Sequence, residues 1–291
     1  MQKKLNSLTL LFLALLFFVS ACNKDNEDPT PGSGGSKDCQ VSEMKLEDET
    51  IKLVYTNNVL TQIQSIRAIA AENENYKLEY NSKQQINKTQ VLNSDGSSDL
   101  YITYEYNNDG LVIKTNYFYR NGTSFENTVA ITSEYTNKVL TRSTTVADLS
   151  YLGINASAPV DYTDYTVTAG NITKAVHYTI DENWLESLDE NNMPPQSEFM
   201  NHMELWSTSE YQYDDKKNPL KLLNFISFLL EDASTLSVNN ITVKVEKDNA
   251  GTTTNTTTNV YEYTPEGYPS KLTSTERNST SEITTLTYNC Q

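Results

Sequence analysis

Apolar and polar residues alternate along most of this chain, and the alternation is built on tyrosine. The segment Tyr104-Glu105-Tyr106-Asn107-Asn108-Asp109-Gly110-Leu111-Val112-Ile113-Lys114 shows the unit. Successive strand residues point to opposite faces, so Tyr104 and Tyr106 share one face and Glu105 takes the other. Asp109-Gly110 marks a tight turn, because hairpin turns need positive φ and glycine reaches it without steric cost. Leu111 to Lys114 reads as the returning strand. Related segments are Ile51-Lys-Leu-Val-Tyr55, Tyr76-Lys-Leu-Glu-Tyr80, Tyr211-Gln-Tyr213, Tyr261-Glu-Tyr263 and Leu286-Thr-Tyr288. Most are followed by Asn, Asp or Thr, then a turn, then an apolar residue: Leu60, Ile86, Ile172, Leu220 or Leu272. From Tyr55 to Tyr80 to Tyr106 the spacings are 25 and 26 residues, room for a strand, a turn, a returning strand and a connection.

Extended over the chain, this pattern predicts about sixteen strands of typical length. They fall near 41–46, 50–56, 59–66, 75–81, 85–92, 99–107, 111–119, 126–136, 139–148, 161–168, 172–179, 207–213, 240–247, 257–264, 270–276 and 282–289. Short connections require antiparallel pairing. The fold class is therefore all-β, a large curved antiparallel meander of Tyr-rich hairpins with short helical or loop insertions. Open twisted sheets rarely exceed ~10 strands, so the meander must curl, split or close. A closed barrel and an open curved sheet both satisfy the pattern. A membrane-spanning barrel fits poorly, since its outer face needs an apolar band and the non-tyrosine face here carries Thr, Lys, Glu and Gln.

Two insertions interrupt the meander. Residues 184–206 hold Trp184, Leu185, Leu188, Met193, Phe199, Met200, Met203, Leu205 and Trp206, with Ser197 placed to cap a short helix running toward Leu205. Residues 220–230 form the most apolar run after the N-terminal segment. Residues 220–230 read as packed on the tyrosine face, and each insertion reads as a buried core segment, or less simply as a partner surface.

Residues 1–21 stand apart from the fold. Lys3 and Lys4 precede an apolar run, Leu10 to Val19, that is shorter than the ~20 residues a spanning helix needs. This is a secretory signal. Its end, Val19-Ser-Ala-Cys22, resembles the lipobox of bacterial lipoproteins, which implies cleavage before Cys22 and acylation of that residue. Two or three acyl chains at ~0.8 kcal/mol per buried CH₂ anchor a protein stably. Residues 22–38 contain no large apolar side chain and read as a flexible acidic tether. Within it, Lys24-Asp25 and Glu27-Asp28 resemble the signal that sends some lipoproteins of Bacteroides-type bacteria to the cell surface; a plain solvated linker fits as well. The expected organisation is a lipoprotein signal peptide (1–21), the tether (22–38) and a single antiparallel β domain (39–291), lipid-anchored in the outer membrane and exposed at the cell surface.

Charge and cysteine usage narrow the partners. The chain has 22 basic and 38 acidic residues, and losing Lys3 and Lys4 with the signal leaves 20 against 38. Such acidity repels phosphate backbones, so nucleic acid is not expected. Cys22, Cys39 and Cys290 are the three cysteines. With Cys22 acylated, an oxidising compartment leaves Cys39 and Cys290 to pair. Cys39 opens the first strand and Cys290 ends the last, so a bridge between them fits pairing of those two strands, and an even strand number fits antiparallel closure.

The runs Tyr211-Gln-Tyr-Asp-Asp-Lys-Lys-Asn-Pro219, Val238-Asn-Asn-Ile-Thr-Val-Lys244, Tyr261-Glu-Tyr-Thr-Pro-Glu-Gly-Tyr-Pro-Ser-Lys271 and Tyr288-Asn-Cys290 resemble a lipoprotein family of Bacteroides-type bacteria. Asp38-Cys39-Gln-Val-Ser42 resembles its domain start. That family is a domain of unknown function with a porin-like fold, so the resemblance implies a curved sheet or a soluble porin-like barrel with a lipid anchor, and no activity. The hairpins also resemble the tyrosine-aspartate repeats of shell-forming bacterial toxins, but no Gly-Arg-Leu follows the turns here.

No catalytic constellation is present. His177 sits in a strand and His202 in the first insertion; two histidines on different elements make a poor metal site. Asp214-Asp215 and Glu231-Asp232 lie at turns, where solvated carboxylates are ordinary. Asn107 to Gly110 offers one acid and two amides, short of a calcium site. No enzyme activity and no cofactor are expected. The candidate ligand face is the set Tyr80, Tyr106, Tyr213, Tyr263 and Tyr288, since wet aromatic rings with hydroxyls suit a glycan or another extended polymer. The alternative is a structural or assembly lipoprotein that partners another envelope protein.

Overall fold

The computed structural model describes residues 39–150, 153–154, 156–188, 193–223, 233–277 and 279–290. The signal segment, Cys22 and the tether therefore lie outside the described residues, as do Glu231-Asp232 and most of the apolar run 220–230. Sixteen strands are present: β1 (Cys39–Lys45), β2 (Glu49–Thr56), β3 (Val59–Arg67), β4 (Glu74–Tyr80), β5 (Ile86–Asn93), β6 (Leu100–Tyr106), β7 (Val112–Asn121), β8 (Ser124–Thr136), β9 (Val139–Asp148), β10 (Ser157–Thr168), β11 (Asn171–Ile180), β12 (Met203–Lys217), β13 (Asn239–Asp248), β14 (Thr253–Tyr263), β15 (Pro269–Glu276) and β16 (Glu282–Cys290). Each pairs antiparallel with its neighbours in sequence, and β1 pairs with β16, closing the barrel. Every expected strand is found. β10, β12 and β14 start several residues earlier than the tyrosine pattern predicts; in β14 the added stretch from Thr253 is threonine-rich, with β propensity but no apolar alternation.

The closing seam carries the disulfide. Cys39 and Cys290 are directly paired in register, with Cα atoms 4.1 Å apart. Linking residues so distant in sequence removes denatured-state entropy worth up to ~5 kcal/mol on the chain-entropy account.

Turn chemistry follows the residues. Asn57-Asn58, Asn137-Lys138 and Ala169-Gly170 have positive φ at both positions, the geometry that matches strand twist in two-residue hairpins. Asn107 builds the longer turn at Gly110 (φ 80°): its Oδ1 accepts from the backbone N–H of Asp109 and Leu111, both at 3.0 Å. Gly170 has a second constraint. A Cβ there would meet Val238 Cγ1 at 3.0 Å, and the Val238 N–H donates to the Gly170 carbonyl.

The insertions differ from expectation in extent. Three short α-helices are described: α1 (Glu182–Glu186), α2 (Gln196–Phe199) and α3 (Ala233–Leu236). Asp181 caps α1 by accepting from Asn183 and Trp184. Ser197 does not cap a helix toward Leu205; it lies inside the four-residue α2, which follows Pro195, and Met203 to Trp206 already belong to β12. Leu149, Ile180, Leu185 and Phe199 form a small core around this insertion. The second insertion plugs the opposite end: Leu220, Leu223 and Leu236 pack into the main core.

The wall faces opposite ways from a membrane barrel. The buried apolar side chains point inward. Among a few exposed apolar residues such as Val260 and Ile283, cross-strand ion pairs stud the outside: Glu43–Lys52, Glu105–Lys114, Arg142–Asp164, Glu210–Lys247 and Glu262–Lys271. A charged side chain at a bilayer midplane costs ~2–4 kcal/mol for Lys or Arg, so this outer wall is built for water. No described helix is long and apolar enough to cross a membrane.

The two ends differ in charge. The near end holds Cys39, Cys290 and the turns that follow even-numbered strands; its described connections carry Lys83, Lys138 and Lys221 against Asp109 and Glu266. The far end's described connections carry Glu47, Asp48, Glu72, Asp95, Asp99, Asp181, Glu182, Glu186 and Glu198 against Arg277. Among the described residues the far-end connections are thus strongly acidic and the near-end ones nearly balanced.

Candidate functional site

All five candidate tyrosines lie at the near end of the barrel, on the inner face. In each of its seven hairpins a β-bulge sets one residue against an apolar residue early in the returning strand: Tyr55 with Leu60, Tyr80 with Ile86, Tyr106 with Val112, Tyr135 with Leu140, Val167 with Ile172, Tyr213 with Ile241 and Tyr263 with Pro269. Bulges turn the strand locally and re-aim the side chain. The apolar partner expected after Tyr213 was Leu220 and after Tyr263 Leu272; the register gives Ile241 and Pro269 instead, since Leu220 lies in the plug and Leu272 is further along β15.

The bulges are chained together by tyrosine hydroxyls. Tyr80 donates to the Leu60 carbonyl at 2.5 Å, Tyr106 to Ile86 at 2.7 Å and Tyr135 to Val112 at 2.9 Å. Tyr213 donates to Ile172, Tyr261 to Ile241 at 3.0 Å and Tyr288 to Pro269 at 2.6 Å. Each hydroxyl thus satisfies a carbonyl at a bulge on the neighbouring strand, where a regular ladder bond is missing. At Val167 the chain of hydroxyls is interrupted, and Tyr165, two residues earlier, instead meets Ser143 Oγ at 3.0 Å.

Tyr263 uses its hydroxyl differently. It donates to Asp214 Oδ2, and the same carboxylate accepts from the Asn240 backbone (3.1 Å), the Asn240 side chain (2.9 Å) and the Lys216 backbone (3.0 Å). Burial and then the Asp214 bond push the Tyr263 pKa up. Burial alone raises Tyr80 to about 12, and it is the main cause of the upward shifts at Tyr106 and Tyr288. Tyr213 also meets Ser237 Oγ at 2.9 Å, which ties the plug to the wall; Ser237 in turn accepts from the Ile172 N–H at 3.1 Å. All five rings are half-buried.

Next to these tyrosines lies a shallow, narrow cleft between Pro219 and Leu220 of the plug and Met44, Tyr261, Leu272 and Leu286 of the wall. Its lining is almost wholly apolar. Toward the far end, the inner wall of β10 to β14 is polar. His177 Nδ1 lies 3.1 Å from Thr163 Oγ1, and burial lowers its pKa against an opposing pull from Asp161. Lys244 pairs with Glu246 at 2.9 Å, and Asn255 donates to Glu246 at 3.1 Å.

The other sequence candidates are scattered. His202 stacks on Trp184 with centroids 3.9 Å apart, at the far end and on a different element from His177. Asp215 pairs with Lys216 at 3.0 Å and Asp109 with Lys138 at 2.9 Å. Among the described residues, no group of three or more His, Cys, Asp or Glu side chains comes together to hold a metal ion.

Sequence reading missed Tyr135 and chose between Tyr261 and Tyr263 without the register. A signal for Tyr135 was present: Tyr135-Thr-Asn-Lys-Val-Leu-Thr141 repeats Tyr55-Thr-Asn-Asn-Val-Leu-Thr61 almost residue for residue.

No protein-family model matches the chain, and no curated protein matches it. Solved structures do. A porin-like protein from Bacteroides vulgatus aligns with a TM-score of 0.52 at 12% identity, over 86% of this chain and 99% of its own. A porin-like protein from Bacteroides uniformis aligns with a TM-score of 0.49 at 13% identity, over 90% of this chain and 99% of its own. At these identities the likeness is one of fold.

Proposed function

We propose that this chain is a lipid-anchored, non-catalytic module of the bacterial outer membrane, displayed at the cell surface, that holds an envelope partner. The observation that carries this reading is the commitment of the tyrosine hydroxyls: all six chained hydroxyls and Tyr263 have defined acceptors within the barrel, and Tyr213 also meets Ser237 of the plug. A glycan on that face would have to compete for these bonds. The reading of the tyrosines as a glycan or polymer face is thereby weakened, and the structural or assembly role beside another envelope protein is favoured. The charged outer wall supports anchoring by lipid rather than by insertion, and the lipobox-like Val19-Ser-Ala-Cys22 supplies the attachment point.

Two measurements test this. Wild-type protein in native cells takes up labelled fatty acid and Cys22→Ala does not; absence of label in the wild type contradicts anchoring. Purified mature protein gives no specific signal on a broad glycan array, whereas cross-linking in native cells yields one stoichiometric envelope partner. A glycan signal lost in a Tyr80→Ala, Tyr106→Ala double variant that still folds would restore the polymer-binding role.

A further inference from the structure

We propose that the barrel stands on the membrane by its near end, with the anionic lipid surface facing the near-end turns and plug and the acidic far end turned away from it. The proposal rests on the lipid-anchored reading above.

Topology supplies the first argument. Cys39 begins β1 at the near end, and its bond to Cys290 fixes both ends of the domain at that place. A tether running from Cys22 must therefore arrive at the near end. Strands of about ten residues rising ~3.3 Å each and tilted ~40° make a wall about 25 Å high. Laying the far end on the membrane would require the tether to double back along nearly that whole height.

Charge supplies the second argument, independently. The far-end connections carry nine described acidic side chains against one arginine, whereas the near-end ones are nearly balanced. Anionic headgroups repel the far end and tolerate the near end, over a range set by a Debye length of ~8 Å at physiological ionic strength. Among the described residues of the plug, Leu223 is 1% exposed and Leu220 packs into the same core, so neither side chain is offered to the acyl layer.

Ser82 and Ser94 give matched reporters. Both are exposed, and they flank β5, Ser82 in the near-end turn and Ser94 in the far-end turn. Single Ser82→Cys and Ser94→Cys variants of the full chain would be purified from native membranes, labelled with a donor dye without reductant so that Cys39–Cys290 stays closed, and placed in phosphatidylcholine–phosphatidylglycerol vesicles carrying a headgroup acceptor. The expected result is energy transfer several-fold stronger from position 82 than from position 94, with the gap narrowing as salt is raised. Equal transfer from vesicle-bound protein, or stronger transfer from position 94, overturns the orientation and leaves anchoring intact. Protein that does not float with the vesicles overturns both.

Discussion

Strands β1 to β7 and strands β12 to β16 enclose the same barrel by different means. In the first group the inner positions are filled: Val41, Met44, Ile51, Ile86, Ile102 and Tyr117 are each at most 2% exposed. In the second group only the positions closest to the plug are apolar, such as Tyr211, Ile241 and Leu272. Further along, the face shared with Tyr211 carries Ser209 opposite Glu246 and Ser207 opposite Asp248. A fully buried aliphatic side chain contributes ~1.5–3 kcal/mol, which hydroxyl and amide side chains on a half-wet wall do not. The polar half is therefore held by its ladder bonds, its bulge-spanning tyrosines and the closure through Cys39–Cys290. The lesson is that a sixteen-strand barrel needs a packed core along only part of its circumference, provided the seam is fixed and the plug fills one end.

The sharpest break of this comparison is a matched pair of truncations. Ile102→Ala, at a position with no exposure, is expected to cost about 2–5 kcal/mol, as large-to-small core changes do. Thr257→Ala, in β14 opposite Lys244, is expected to stay within ~1 kcal/mol. Urea unfolding of the two variants measures both, and similar losses would mean that the polar half is packed as tightly as the other.

A smaller effect separates the two kinds of tyrosine bond. Tyr263→Phe removes a donor to the Asp214 carboxylate and is expected to cost about 1.5–3 kcal/mol, in the range of bonds to charged groups. Tyr106→Phe removes a donor to a neutral carbonyl and is expected to cost ~0.5–1.5 kcal/mol. The reverse order, read from the same unfolding curves, would mean that the Asp214 network re-forms without the tyrosine.

The same tyrosines set the alkaline limit. Tyr80 and Tyr135 have their pKa values raised to about 12 from an ordinary 10, chiefly by burial. The folded state thus favours the neutral phenols. Their contribution is complete below pH 10 and is lost as pH rises from 10 through about 12, where the unfolded chain ionises first. Circular dichroism at rising pH should show stability falling in that window, with a shallower fall in Tyr80→Phe. A flat profile would place both rings in water.

Much of this was legible in the chain. Alternation around tyrosine located the strands, Asp109-Gly110 located a turn, and the placing of Cys39 and Cys290 anticipated the seam. What alternation could not supply was register. Tyr261 and Tyr263 share a face, and only the bulge between Glu262 and Tyr263 and the offset of β13 decide which hydroxyl reaches Ile241. The charge difference between the ends was hidden for a topological reason: successive turns alternate between ends, so acidic loops such as Asp95 to Asp99 are interleaved in sequence with near-neutral ones such as Asn107 to Leu111.

Amide hydrogen exchange tests the two-halves account most directly. Ile102 in β6 and Val245 in β13 both sit mid-strand between paired neighbours. If a packed core holds only the first half, Ile102 exchanges through global unfolding, while Val245 exchanges faster through local opening of β12 to β14 that leaves β1 to β7 intact. Equal protection at the two amides, with both following the global unfolding free energy, would contradict it.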